Sequence, residues 1–143
     1  MNKANQAEQM FKKGFNCSQA VLSVFCEEMG LSKKIALKIS CGFGGGMRLG
    51  EVCGAVTGAI QLLGLKYGQD REDDIESKEN TYGIVREFIE KFKEQNSSIT
   101  CKQLLGCDLS TENGRKYAKD NGFFESVCPK LIKNAVEILE DIL

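Results

Sequence analysis

The stretch "CGFGGGMRLGEVCGAVTG", residues 41–58, places seven glycines and two cysteines in eighteen positions, and the apolar run "AIQLLGLKYG" follows it at residues 59–68. A glycine inside a regular element costs roughly 0.5–1 kcal/mol relative to alanine, so these glycines serve something other than helix stability. Two architectures compete for them. In one, "KIALKIS" at residues 34–40 is a strand and the glycines wrap a phosphate before a helix begins. The required G-x-G-x-x-G fails, because the sixth position is Met47 counted from Gly42 and Leu49 counted from Gly44. The Gly-Lys-Ser/Thr ending of a P-loop is also missing, and no other segment supplies parallel strands. In the other, residues 51–68 form a mostly apolar, buried helix. Gly50, Gly54 and Gly58 then recur every fourth residue on one face, beside Ala55 and Ala59, and another backbone can approach closely. The second reading stands.

Outward from that helix, nearly every periodic segment is helical. Residues 3–13 carry Ala7, Met10 and Phe11 at turn spacing. In "NCSQAVLSVFCEEMG" Asn16 is an N-cap and Gly30 a terminator, with Ala20, Val21, Val24 and Phe25 on one face. Ser32 caps a third helix through Ser40. Residues 70–95 are highly charged around a stripe of Ile75, Tyr82, Val85, Phe88, Ile89 and Phe92, which serves an internal core or a homodimer equally well. Ser98 or Thr100 caps a short helix, residues 111–121 form another, and Pro129 suits the first turn of a last helix to residue 143. The expectation is one all-α domain over residues 1–143, a compact bundle of about six to eight helices with the glycine-rich helix buried.

Composition narrows the function. The 19 basic and 20 acidic residues balance, which leaves no electrostatic footprint for nucleic acid or an anionic membrane. The apolar runs are too short to embed the chain in a membrane, and "MNKANQAEQMFKK" lacks the apolar centre of a secretory signal, so a cytoplasmic protein is expected. The chain has no histidine, which removes the usual general base, the usual nitrogen ligand of zinc and a histidine-ligated haem. It has seven cysteines, an odd number that cannot all pair internally. In a reducing compartment cysteines at this density carry metal, catalysis or redox chemistry more often than structural disulfides. Sulfur is the expected carrier of the chemistry.

Four cysteines share one kind of position. Cys17 follows the cap Asn16, Cys53 lies in the first turn of the glycine helix, Cys101 follows Thr100, and Cys128 precedes Pro129. Unpaired amides and the positive end of the helix dipole favour a thiolate there. Arg48 would add to this at Cys53, and Glu51 would oppose it. Cys26 reads as core, while Cys41 and Cys107 are auxiliary or inert thiols. No C-x-x-C occurs, which argues against a thioredoxin-type dithiol and a zinc knuckle. Gly44, Gly45 and Gly46, with their freedom to adopt positive φ, and Gly54 and Gly58, with their bare face, are the candidate residues for holding a cofactor or anion.

"FNCSQAVL", "GFGGGMRLGEVCGAVTGA", "LGLKYG", "CKQLLG" and "CPKL" together resemble the family named for its C-GCAxxG-C-C pattern. Its centre stands here as Cys53-Gly54-Ala55-Val56-Thr57-Gly58, and its four cysteines map onto Cys17, Cys53, Cys101 and Cys128. The resemblance spans nearly the whole chain and implies a small redox-active cysteine protein, without an established reaction. Three functions remain open. Cys53 attacks a disulfide or oxidised sulfur of a small molecule or redox partner, and another of the four cysteines resolves the mixed disulfide. Alternatively, Cys17, Cys53, Cys101 and Cys128 hold zinc or an iron–sulfur cluster for electron transfer. In the third, the chain is a non-catalytic binding module. The cofactor accordingly is none, zinc or an iron–sulfur cluster.

Overall fold

A computed structural model describes all residues, 1–143. It contains nine α-helical segments, eight of them five residues or longer: α1 (Lys3–Lys12), α2 (Cys17–Ser23), α3 (Lys33–Ser40), α4 (Gly54–Tyr67), α5 (Ile75–Asn96), α6 (Cys101–Leu105), α7 (Glu112–Asp120), the single turn α8 (Phe123–Ser126) and α9 (Cys128–Ile142). The fold is an all-α bundle, and "KIALKIS" lies in α3 and is helical. No helix is long and apolar enough to cross a membrane.

Local cap chemistry sets the boundaries. The side chains of Asn2, Asn16, Ser32, Asp74, Thr100 and Thr111 each accept a backbone amide at the start of their helices. Left-handed Gly106 ends α6, as a residue without Cβ readily does. Two boundaries differ from expectation. α2 stops at Ser23, and a 3-10 turn, Cys26–Met29, carries the chain to left-handed Gly30. α4 begins at Gly54, so Cys53 is its cap and Gly50, at φ 70°, lies outside the helix rather than on its face. The cause is a tight left-handed turn in which Gly45, Gly46, Met47 and Arg48 all have positive φ. It is closed by the Glu51 amide donating to the Gly46 carbonyl at 3.1 Å.

The buried core centres on α4 and α9. Leu62, Leu63, Ile132, Val136 and Leu139 are fully enclosed together with Val21 and Leu22 of α2. α5 adds Phe88 and Phe92, whose rings stack at 6.1 Å. The N-terminal half of its stripe does not reach that core, since Ile75 and Tyr82 remain exposed. Burial of these apolar side chains holds the bundle closed. The N-termini of α2, α4, α6 and α9 begin with or are capped by Cys17, Cys53, Cys101 and Cys128.

Candidate functional site

Cys17 is held by a reciprocal cap. The Asn16 side chain accepts the Gln19 amide at 3.0 Å, and the Gln19 side chain accepts the Asn16 amide at 2.9 Å. Asn16 Nδ2 then donates to the Cys41 carbonyl at 2.8 Å, and Gln19 Nε2 to the Leu37 carbonyl at 2.9 Å, which ties α2 to the end of α3. The glycines of α4 bring this helix up to Cys53. A Cβ at Gly54 would lie 2.9 Å from the Ser18 nitrogen and 3.1 Å from Cys17 Cβ. One at Gly58 would lie 2.6 Å from the Ser18 carbonyl oxygen. Both helices can approach only because those hydrogens are not methyl groups. The Ser18 hydroxyl accepts Gln61 Nε2 at 3.0 Å and satisfies the polar seam between them.

Cys101 reaches the same place by a pairing distant in sequence. Val52 and Thr100 form an isolated antiparallel bridge. The Cys53 amide donates to Ile99 at 2.7 Å, and the Cys101 amide donates to Glu51 at 2.8 Å. This clamp sets the starts of α4 and α6 side by side. Cys128 enters from α9, with Pro129 in the first turn, where its missing N–H is not needed.

The four thiols form a chain of pairs: Cys128 beside Cys17, Cys17 beside Cys53, Cys53 beside Cys101. Charge concentrates on one of them. The Cys101 and Cys17 thiols donate toward Cys53 and, with the Ala55 and Val56 amides of α4, hold its pKa well below the ordinary thiol range despite burial. Cys17 moves the opposite way, well up, through its hydrogen-bonding with Cys128 and Cys53 and through burial. Cys101 is likewise raised, through Cys53 first and burial second. Negative charge in the cluster is thus favoured on Cys53 and disfavoured on Cys17 and Cys101. No three cysteine, aspartate or glutamate side chains are grouped as ligands for a metal ion. Cys26 is buried in the core with its sulfur 3.6 Å from the Ser23 carbonyl, Cys41 is exposed and Cys107 half-buried.

Cys53 is 1% exposed and sits beneath its partners. A cavity of about 600 Å³ opens above them, with Cys17, Cys41, Cys101 and Cys128 in its wall. Of the five glycines expected to hold a cofactor or anion, Gly44 and Gly45 line this cavity. Gly46 instead faces the Glu51 backbone, where a Cβ would lie 2.5 Å from the nitrogen, and Gly54 and Gly58 face α2. Arg48, expected to act on Cys53, stands on the cavity wall, its Nη1 3.5 Å from where a Gly45 Cβ would be. Sequence reading passed over Arg115 and Lys119, which also line the cavity; their i, i+4 spacing on α7 was the only local signal.

A family model described as "Putative redox-active protein (C_GCAxxG_C_C)" matches residues 15–142. The chain belongs to this family. Searches of curated proteins and of solved structures returned no match. Membership in the redox-active family covers all four clustered cysteines and every helix that carries them, since the matched span includes α2 through the end of α9.

Proposed function

We propose that the protein is a dithiol–disulfide redox protein whose working pair is Cys53 and Cys17. The observation that carries this reading is the burial of Cys53, which lies outside the cavity wall, next to Cys17, which lines it. Cys53 reaches no solvent, so a disulfide in the cavity meets Cys17 first. Of the two sulfurs, Cys53 is drawn toward the charged form and Cys17 toward the protonated one. Cys53 takes the Cys17 proton as Cys17 sulfur attacks a substrate disulfide, forming a mixed disulfide and releasing the first substrate thiolate. That thiolate takes the proton from Cys53. Cys53 then attacks the Cys17 sulfur, forming the Cys17–Cys53 disulfide and releasing the second substrate thiolate, which is protonated by solvent. Two electrons pass from the protein to the substrate, and both halves leave as thiols. Reversal of the steps oxidises a dithiol.

One equivalent of a small disulfide followed by peptide mapping tests the assignment. The expected product is a Cys17–Cys53 link, and Cys53→Ser should stop the reaction at a mixed disulfide on Cys17. A link between other cysteines, or unchanged turnover in Cys53→Ser, would contradict it.

A second reading draws on the number of cysteines at the four helix starts, although no three of them are grouped as ligands for a metal ion. Cys17, Cys53, Cys101 and Cys128 are the ligand number of zinc or an iron–sulfur cluster. Such a group would serve electron transfer if iron–sulfur and structure if zinc. Metal analysis of protein purified without oxygen distinguishes this reading from the first.

A further inference from the structure

Part of the cavity wall is basic. Arg48, Arg115 and Lys119 line the cavity, and no aspartate or glutamate does. None of the three belongs to any ion pair of the molecule; the five that form involve other residues. The cavity wall thus carries three cations and no carboxylate in a chain whose overall charge is balanced. Two of them are placed by specific structure. Arg115 is half-buried and its Nη1 donates to the Leu109 carbonyl at 3.0 Å, which fixes the guanidinium and leaves its other donors free. Arg48 sits at φ 63°, a left-handed conformation that costs an ordinary residue roughly 1–2 kcal/mol, in a turn that sets its side chain across Gly45. Strain of this kind persists where the surrounding structure imposes it, and it is found preferentially at binding sites.

The remaining wall is apolar and aromatic, with Phe11, Phe15 and Phe124. A volume of about 600 Å³ falls within the range of small-molecule sites. We infer that the cavity binds a small organic disulfide carrying two or more carboxylates, with the carboxylates on Arg48, Arg115 and Lys119, the carbon stems against the phenylalanines and the sulfur–sulfur bond toward Cys17. This rests on the Cys17–Cys53 reading for the reaction, while the charge selectivity rests on the cations alone. Arginine supplies the planar fork that carboxylates prefer, and lysine adds a mobile charge at the rim.

Three disulfides of similar size test it: dithiodipropionate with two negative charges, hydroxyethyl disulfide with none, and cystamine with two positive charges. Initial rates of protein thiol oxidation should rank in that order. Added salt should slow the dianion and speed the dication, since partly exposed charges are screened. Arg115→Gln, Arg48→Gln and Lys119→Gln should each reduce the dianion's rate about fivefold relative to the neutral disulfide's, the scale of about 1 kcal/mol for one partly exposed charge pair. Suberate, the unreactive all-carbon analogue of dithiodipropionate, should bind by calorimetry and compete with it, more weakly in Arg115→Gln. Equal rates for the three disulfides with no suberate binding would overturn the inference. Suberate binding that depends on Arg115, with no disulfide reduced, would establish the anion site and overturn the thiol reading on which its role as a substrate site depends.

Discussion

Cys53 combines two properties that ordinarily oppose each other, deep burial and a favoured negative charge. The charge is held by donors: the Cys101 and Cys17 thiols first, then the Ala55 and Val56 amides. The pH consequence follows from its direction. A folded-state pKa below the ordinary thiol value gives stability that is fully present above that value and is lost as pH falls through the depressed one. Cys17 and Cys101, being raised, act oppositely, and their contribution is lost as pH rises past the ordinary thiol range. Thiolate ultraviolet absorbance should therefore appear at lower pH than for an ordinary thiol, and Cys53→Ser should abolish that early component. Retention of the early component in the variant would place it on another cysteine. Cys53 was legible as a special cysteine from its place before an apolar glycine-bearing helix. Its burial beneath Cys17 was not, because no local pattern reveals which of two helix-start side chains lies in front.

Among the elements, the contact of α2 with α4 decides whether the thiols meet. Gly58→Ala would drive a methyl group to 2.6 Å from the Ser18 carbonyl oxygen, an overpacking that costs about 1–3 kcal/mol and exceeds the helix-propensity gain of about 1 kcal/mol. Gly64→Ala, in the same helix with nothing within 4 Å, should stabilise by up to about 1 kcal/mol. Urea unfolding of the two variants checks the opposite signs. Asn16→Ala removes the reciprocal cap and the link to Cys41, and should cost about 1–2 kcal/mol while slowing Cys17–Cys53 disulfide formation, measured by the same mapping. The caps at Asn16, Ser32 and Thr100 were readable because capping is settled within four residues. The left-handed turn was not, since Met47 and Arg48 carry no preference for positive φ, and Gly50 looked continuous with the face of Gly54 and Gly58. The Val52–Thr100 bridge was also hidden, being made between segments far apart in sequence.

At the scale of the whole molecule, the bundle gathers sulfur at one end and sets unpaired cations around it. The first was foreshadowed by the four helix starts, and the second was scattered through the glycine loop and α7, with no motif to join the pieces. The chain belongs to the C_GCAxxG_C_C family, and two-electron exchange between its thiols is the chemistry we propose for it. Native mass spectrometry of protein purified without oxygen, before and after one equivalent of a small disulfide, tests this most directly. The account predicts the bare polypeptide mass, then a loss of about two hydrogens, as one intramolecular disulfide requires, with Cys17 joined to Cys53 on mapping. A native mass carrying zinc or an iron–sulfur cluster that disappears on denaturation, with Cys17 and Cys53 still unlinked after the disulfide is added, would contradict it.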